Sequence, residues 1–323
     1  KHTQKRKTAR IAEPALLLAA AAVLLAPLVW AAVQDVDLTG KVQHMDQPGL
    51  SLAQKNAAAE KEFRREHREG LYLTGYVFPS RNGIHMGDRM TDDSPYRVGI
   101  KSGEIKIRRI SRERRRDGYT VHTEIDQGGP AGLFLLFRVS EGKARIEDSC
   151  PFDPDKSFSF EETPVFWLGE AGADESFAFL SRQFEDGGSH ELQKNMIFAI
   201  SLHESPEVLP FLKATALGRY DTDIRKSAIF WIGSMEGPES FRALKDIAGK
   251  VKGTELRKHV VFAYSLCSED EAIEEMIRIA RVDSDREVRK NAIFWLGQKA
   301  SSEAAGFLKG VVEGSDEDDD IKK

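Results

Sequence analysis

A hydrophobic pattern that returns every 32 residues dominates the second half of the chain. Each copy is an apolar tetrad that opens with phenylalanine and closes with a small residue, and further apolar positions stand six residues before and fourteen residues after that phenylalanine. This spacing predicts a unit of two helices joined by a turn. One unit alone leaves its apolar surface open, so neighbouring units must stack. The marker residues are Phe166, Phe198, Phe230, Phe262 and Phe294.

Tryptophan follows the phenylalanine in alternate copies, at Trp167, Trp231 and Trp295, which is a second period of 64 residues. Two interpretations fit these tryptophans. A ladder of aromatic rings can line a groove that binds a peptide, or the rings can pack between neighbouring repeats as core. The core interpretation is favoured because each tryptophan lies in the most apolar part of its predicted helix.

Residues 70–150 have a different pattern. Short runs alternate between apolar and polar residues and are bounded by Gly, Asp and Pro, which predicts strands. The predicted fold class is therefore α+β with several domains: a small antiparallel β sandwich or barrel over 70–150, followed by an all-α solenoid over 155–323. The predicted strands are Leu71–Phe78, Tyr96–Ile100, Glu104–Ile110, Tyr119–Ile125, Gly132–Val139 and Ala144–Glu147.

The starts of the first helices share a set of residues. It occurs as Asp285 with Val288, Arg289, Ala292, Leu296 and Gly297, and as Asp221 with Ile224, Arg225, Ala228, Ile232 and Gly233. Over about the last half of the chain, this set resembles bacterial HEAT-like repeats, the class that includes the phycobilin-lyase type. The resemblance implies a HEAT-like α-solenoid. It also implies a structural ladder in which Arg225, Arg257 and Arg289 pair with acidic residues of neighbouring units.

Two copies depart from that family pattern. The arginine is missing at Leu192-Gln193, and the acidic residue is replaced by Gly253. At the other end of the array, Ile321–Lys323 stand where Val288–Lys290 began the preceding unit. The solenoid over 155–323 is therefore predicted to stop inside a sixth repeat, with a terminal cap still to follow.

The N-terminal segment has the pattern of an export signal. Residues 1–10 hold five cations, and an uncharged apolar run follows from Ala15 to Val33. Residues 1–33 are predicted to be a signal peptide cleaved after Ala31, or a retained anchor, since about 20 apolar residues span a bilayer. Either outcome places the body in the periplasm or outside the cell, free or tethered to the membrane. Residues 34–69 are predicted as a linker and one exposed helix, Leu50–Arg68.

Charge narrows the choice of partner. The chain has 323 residues and a formal net charge of −5, so no nucleic-acid partner is predicted. A local basic cluster lies within residues 101–116. It suits an anionic membrane surface, a polyanion or an acidic protein face, or it is a solvated loop. The candidate contact residues in this cluster are Arg108, Arg109, Arg112, Arg114, Arg115 and Arg116.

A second basic group recurs in the repeats. One lysine opens each of four successive first helices, beside an arginine in the last three. This stripe can meet an acidic partner, or the lysines are solvated next to structural arginines, which is the favoured interpretation. These four residues are Lys194, Lys226, Lys258 and Lys290.

Few features of the sequence suggest catalysis or metal binding. The eight histidines have no paired spacing typical of a zinc site or of a nucleophile with its base. Stacked repeats would separate Cys150 from Cys267 by more than a disulfide can span. The acidic run Asp316–Asp320 is interpreted as a solvated loop between repeats. No cofactor and no metal are predicted.

These observations predict an exported scaffold or adaptor that binds a protein partner through the repeat surface and has no enzymatic activity. The alternative is a lyase-like or other enzyme that holds a small ligand in the solenoid. It would need a pocket and a reactive group, for which Cys150 and Cys267 are the candidates.

Overall fold

The computed structural model describes residues 36–86, 96–101, 104–109, 123–299 and 301–313. They form a mixed β-sheet with one helix beside it, followed by a run of helices. The strands are β1 (Leu38–His44), β2 (Gly70–Met86), β3 (Tyr96–Lys101), β4 (Glu104–Arg109), β5 (Thr123–Ser140), β6 (Lys143–Phe152) and β7 (Phe158–Glu170).

The seven described strands belong to one sheet. β2 pairs antiparallel with β5, β5 with β6 and β3 with β4, whereas β7 runs parallel to β1, β2 and β3. The two ends of the sheet approach each other, because the Ile105 amide in β4 donates a hydrogen bond of 2.7 Å to the Asp148 carboxylate in β6. The sheet is therefore nearly closed into a barrel.

This barrel-like sheet corrects the predicted fold class. A small antiparallel domain over 70–150 is wrong, because β1 comes from the predicted linker and β7 from the predicted first repeat. The tetrad that begins at Phe166 is thus part of a strand. A short apolar run has the same composition in a buried strand and in a buried helix, so its match to the repeat was misleading. The helices that follow the sheet begin only at Ala173.

Stacked aromatic rings hold the strands together. The ring centres of Phe134 and Phe152 are 4.0 Å apart, and Phe160 meets Phe134 edge-on at 5.3 Å. Gly132 makes this packing possible, since a Cβ atom there would lie 2.2 Å from the Phe152 ring. A larger residue at position 132 would overlap the Phe152 ring and would force β5 and β6 apart.

The predicted helix Leu50–Arg68 is present as α1 (Leu52–Glu66), with one face exposed and the other buried. Ser51 and Gln54 form a capping box at its start. Leu52, Ala59 and Phe63 are buried on its inner face. Lys55 is also buried, and its Nζ donates hydrogen bonds to the Asp46 carboxylate and to two carbonyls at the end of β7. The interior ammonium is stabilised because it is fully paired.

Nine described helices follow the sheet. After α2, they form four pairs of helices in contact, α3 with α4 through α9 with α10. The first helices of the pairs begin 32 residues apart, at positions 190, 222, 254 and 286. The helices are α2 (Ala173–Glu185), α3 (His190–Ser201), α4 (Val208–Leu217), α5 (Thr222–Gly233), α6 (Pro238–Lys250), α7 (Thr254–Leu266), α8 (Asp270–Val282), α9 (Arg286–Gln298) and α10 (Ser302–Glu313).

The pairs stack into two layers. The first helices α3, α5, α7 and α9 pack on one another in sequence, and the second helices lie on the other side. Small residues allow close approach, since a Cβ atom at Gly233 would lie 2.7 Å from the Ala263 carbonyl oxygen. In the described residues, no helix has the length and apolar content needed to cross a bilayer. The predicted signal or anchor at 1–33 lies outside them.

Buried polar contacts join the sheet to the helices. The Tyr76 hydroxyl on β2 lies 2.8 Å from Ser176 Oγ on α2, and Ser176 Oγ lies 2.7 Å from His203 Nε2. His203 Nδ1 donates to the Ala199 carbonyl at 2.9 Å, and burial keeps the ring neutral by lowering its pKa, so Nε2 accepts from the serine. On the other side of the junction, Asn195 donates to Asp148 at 2.8 Å. Tyr76, Ser176 and His203 thus each have a hydrogen-bond partner inside the protein.

Acid is expected to weaken this junction. Burial lowers the pKa of His203 to about 4, whereas an unfolded histidine titrates near 6.5. As the pH falls, the unfolded chain binds the proton first, so this contribution is complete above about pH 6.5 and is lost towards pH 4. We expect His203 to account for a loss of about 2 kcal/mol in the free energy of unfolding between pH 7 and pH 4.5, measured by urea titration at both pH values.

The variant His203→Gln keeps a donor and an acceptor in place but does not titrate. It is expected to lose less stability than the wild type over the same pH interval, while His67→Gln, at an exposed position, behaves like the wild type. If His203→Gln and the wild type lost the same free energy of unfolding between pH 7 and pH 4.5, His203 would not be the cause of that loss.

Candidate functional site

A line of aromatic rings crosses the layer of first helices. The Phe198 and Trp231 rings stack at 4.7 Å, the Phe230 and Phe262 rings at 5.9 Å, and the Phe262 ring meets Trp295 at 4.7 Å. Within single helices, Phe230 meets Trp231 at 4.8 Å and Phe294 meets Trp295 at 5.1 Å, so the ring contacts form one continuous line. We call this line the aromatic stripe, and its members are Phe198, Phe230, Trp231, Phe262, Phe294 and Trp295.

The aromatic stripe lies at the surface of the layer. Five of its six residues are half-buried. Phe294, which lies on α9, is 56% exposed. The next residues of the same tetrads, such as Ile232 and Leu296, are fully buried. A helix turns by 100° per residue, so the leading aromatic residues face outward and the aliphatic ones inward.

The structure changes both interpretations of the tryptophans. Trp167 lies in β7 and is buried in the sheet with 6% exposure, so it belongs to no helical ladder. Trp231 and Trp295 lie in the aromatic stripe at half-buried positions. The line of rings is continuous because phenylalanines from every repeat fill the gaps between the tryptophans. The 64-residue spacing of the tryptophans therefore accounts for only part of the aromatic stripe.

The four predicted lysines run beside the aromatic stripe. Each precedes a stripe phenylalanine by four residues, which is one helical turn. Lys226 Nζ lies 3.6 Å from both the Asp223 and Glu255 carboxylates, and Lys194 and Lys258 each have a glutamate at 3.4 Å. Lys290 makes no ion pair with another residue in the described part of the chain. Acidic neighbours thus neutralise most of this row.

Among the described residues, one of the three arginines pairs with acids of the next unit as the resemblance implied. Arg257 lies 2.7 Å from Asp283 and 3.3 Å from Asp285. The acids that follow Arg289 in the next unit lie outside the described residues. Arg225 donates instead to the Ala216 carbonyl, and Arg289 to the Asp283 carbonyl, both at 2.8 Å. These carbonyls end the preceding second helix and lack helical partners. The arginines therefore tie one unit to the next by capping.

The basic cluster of the β region is only partly described. Arg108 and Arg109 are the last residues of β4, where they pair in register with β3. Arg112, Arg114, Arg115 and Arg116 lie outside the described residues, as does the acidic run 316–320. The predicted contact role of this cluster stays a prediction from sequence.

Neither cysteine has the surroundings of a reactive thiol. Both are free. Burial raises the pKa of Cys150 to about 12 and that of Cys267 to about 11. A nucleophilic cysteine needs a thiolate at neutral pH, so both side chains behave as small apolar groups here. The two candidate thiols of the lyase-like alternative are therefore protonated at neutral pH.

One polar cluster was missed at the sequence level. His190, Asp221 and Asp223 bring potential ligand atoms within 4.8 Å of one another at an exposed site. His190 and Asp221 are 31 residues apart and meet only because α3 and α5 stack. Asp221 already caps α5 by accepting a hydrogen bond from the Asp223 amide, and this bond is the main reason that its pKa is lowered. The cluster is explained by capping.

Comparison with known proteins adds no functional assignment. No family model matches the sequence, and no curated protein matches it. The resemblance to HEAT-like repeats therefore rests on the residue pattern at the helix starts alone.

Proposed function

We propose that this protein is an exported adaptor of HEAT-like architecture that binds a protein partner through the aromatic stripe. The observation that carries the proposal is the continuity of the stripe. Its rings cross four successive first helices, with five residues half-buried and Phe294 exposed. Stacking forces residues of each unit into contact with the next, but it does not require aromatic rings on the outer face.

The chemistry of the surface favours a protein segment with apolar side chains. Aromatic rings provide large, rigid contact areas at protein interfaces. The row of lysines beside them is largely paired with Glu191, Asp223 and Glu255, so it offers little net positive charge to a polyanion. We expect apolar contacts at the centre of the interface and exchangeable ion pairs along its rim.

The export of the protein and its second contact with the partner are proposed from the sequence alone. The basic and apolar pattern of residues 1–33 supports a location in the periplasm or outside the cell. The cluster Arg112–Arg116 supplies the densest positive charge of the chain and is proposed as a second, salt-sensitive contact to an acidic protein face. The lyase-like alternative has less support, because Cys267 is buried, Cys150 is partly buried, and both thiols have raised pKa values.

Site-specific photocrosslinking tests the use of the stripe. We expect p-benzoylphenylalanine at Lys226 or Lys258 to trap one protein partner in the native host, because both lysines lie one turn from stripe rings. The matched control is Lys309 on α10, in the layer of second helices, whose side chain is 74% exposed. Adducts are identified by mass spectrometry. Equal trapping of that partner from Lys309 would place the interface elsewhere.

A pair of matched substitutions tests the energetics. Phe262→Leu removes a central stripe ring and is expected to weaken partner binding about tenfold or more, as central aromatic residues at interfaces contribute about 2 kcal/mol. Phe211→Leu is the control, because Phe211 is also half-buried but lies on α4 in the other layer. Binding is measured with the trapped partner by calorimetry. If both variants bind like the wild type, the stripe is not the interface.

The contribution of the basic cluster is tested separately. We expect replacement of Arg112, Arg114, Arg115 and Arg116 by glutamine to remove the salt dependence of partner binding between low and physiological ionic strength. Apolar binding through the stripe is expected to remain. Unchanged salt dependence in this variant would exclude the cluster as a contact.

A further inference from the structure

Tyr264 breaks the repeat at a buried position. The third tetrad residue is aliphatic in the other helical units, at Ile200, Ile232 and Leu296, and only α7 carries a hydroxyl there. Tyr264 has 0% exposure, and its hydroxyl has no hydrogen-bond partner among the described residues. Burial of an unpaired hydroxyl costs about 1–3 kcal/mol. An unpaired buried group of this kind calls for an explanation, and a bound molecule is one.

The tyrosine lines a cavity on the side of the second helices. The cavity has a volume of about 580 Å³ and lies between α6 and α8, with α7 beneath them. Neighbouring second helices pack directly in the pairs α4 with α6 and α8 with α10, whereas α6 and α8 do not pack closely. Cavities of roughly 300–1,000 Å³ are typical of small-molecule sites.

A second departure from the repeat keeps this cavity open. Gly249 on α6 lines it, where the preceding and following units have Leu217 and Arg281. A Cβ atom at Gly249 would meet nothing within 4 Å. Gly249 lies in the last turn of α6, and the side chain that it lacks leaves this space unfilled. Two exceptions to the repeat pattern therefore border the same space.

The mouth of the cavity is positively charged. Lys245 and Arg278 have side chains that are 60% and 57% exposed, and both contact Glu275, which is only 12% exposed. Deeper in the lining, Arg257 pairs with Asp283. The acids thus lie beneath the cations, and the lining has three cations against two acids. An approaching molecule meets Lys245 and Arg278 first.

Donors remain for a ligand at this mouth. Arg278 contacts Glu275 through Nε, and its terminal nitrogens bond no other described residue. Burial is the main reason that the pKa of Tyr264 is raised, and the nearby Glu275 adds to the effect, so the hydroxyl keeps its proton and can donate. Val260 and Ile279 provide apolar wall.

We propose that this cavity binds a small organic carboxylate with an apolar body. The carboxylate pairs with Lys245 and Arg278 at the mouth, and the side chains that cover the buried Tyr264 hydroxyl move aside so that this hydroxyl donates to it. The apolar body packs against Val260 and Ile279 in the space that Gly249 leaves open. The site is independent of the aromatic stripe, because it lies on the opposite layer of the stack.

Calorimetry on the full chain with three probes of one length tests the ligand class. We expect octanoate to bind at least tenfold tighter than 1-octanol or octylamine at low ionic strength, because only the carboxylate complements the cationic mouth. Tyr264→Phe keeps the ring and is expected to weaken octanoate binding about fivefold. Unfolding temperatures of the variants confirm that they are folded.

Matched leucine substitutions locate the site. Gly249→Leu places in the cavity the residue that the preceding repeat has there, and it is expected to abolish octanoate binding. Gly297→Leu is the control, since Gly297 is also helical, has open space around its Cβ position and lies outside the cavity. Octanoate binding that survives Gly249→Leu, tighter binding of octylamine, or binding of none of the three probes would each overturn the proposal.

Discussion

The open end of a helical stack is the constraint on which the rest of this structure depends. A repeat unit buries its apolar faces only against neighbours on both sides, so the first unit needs a cover of another kind. Here the barrel-like sheet provides it, since α3 packs against β6 on one side and α5 on the other. The Tyr76–Ser176–His203 chain and the Asn195–Asp148 pair set the orientation of this contact. One continuous hydrophobic core then runs from the sheet through the helices.

The two layers of the stack have separate chemistry although they come from one repeat. Aromatic residues at the start of each tetrad produce an extended surface along the first helices, because every unit contributes to it. The cavity on the other layer arises differently, from residues that occur in one unit only, Tyr264 and Gly249. A surface to which every unit contributes suits an elongated partner. A cavity formed by residues of a single unit suits a small one.

Sequence predicted the parts of the fold that depend on local periodicity. The helical run, the strands within 70–150 and helix α1 follow from apolar spacing, and the described elements lie there. The sequence did not separate the Phe166 tetrad from the helical copies, because a strand and a helix bury the same residues. β1 was missed since its residues are mostly polar, and its pairing with β7 is decided by a distant strand. Tyr264 was visible as an exception, but the space around it depends on how α6 and α8 pack.

The parallel pairing of β1 with β7 also sets an order of events during synthesis. Thr39 and Phe158 are 119 residues apart along the chain, yet they are hydrogen-bonded in the finished sheet. β1 therefore has no partner in β7 until the chain has been made past residue 158. Non-local parallel pairings form slowly, and an unpaired strand edge is a place where chains associate wrongly. The helices emerge only after β7, so each pair can fold onto a sheet whose strands are already available. A nascent chain is thus most vulnerable to misassembly before β7 appears, and the stack grows from the sheet outward.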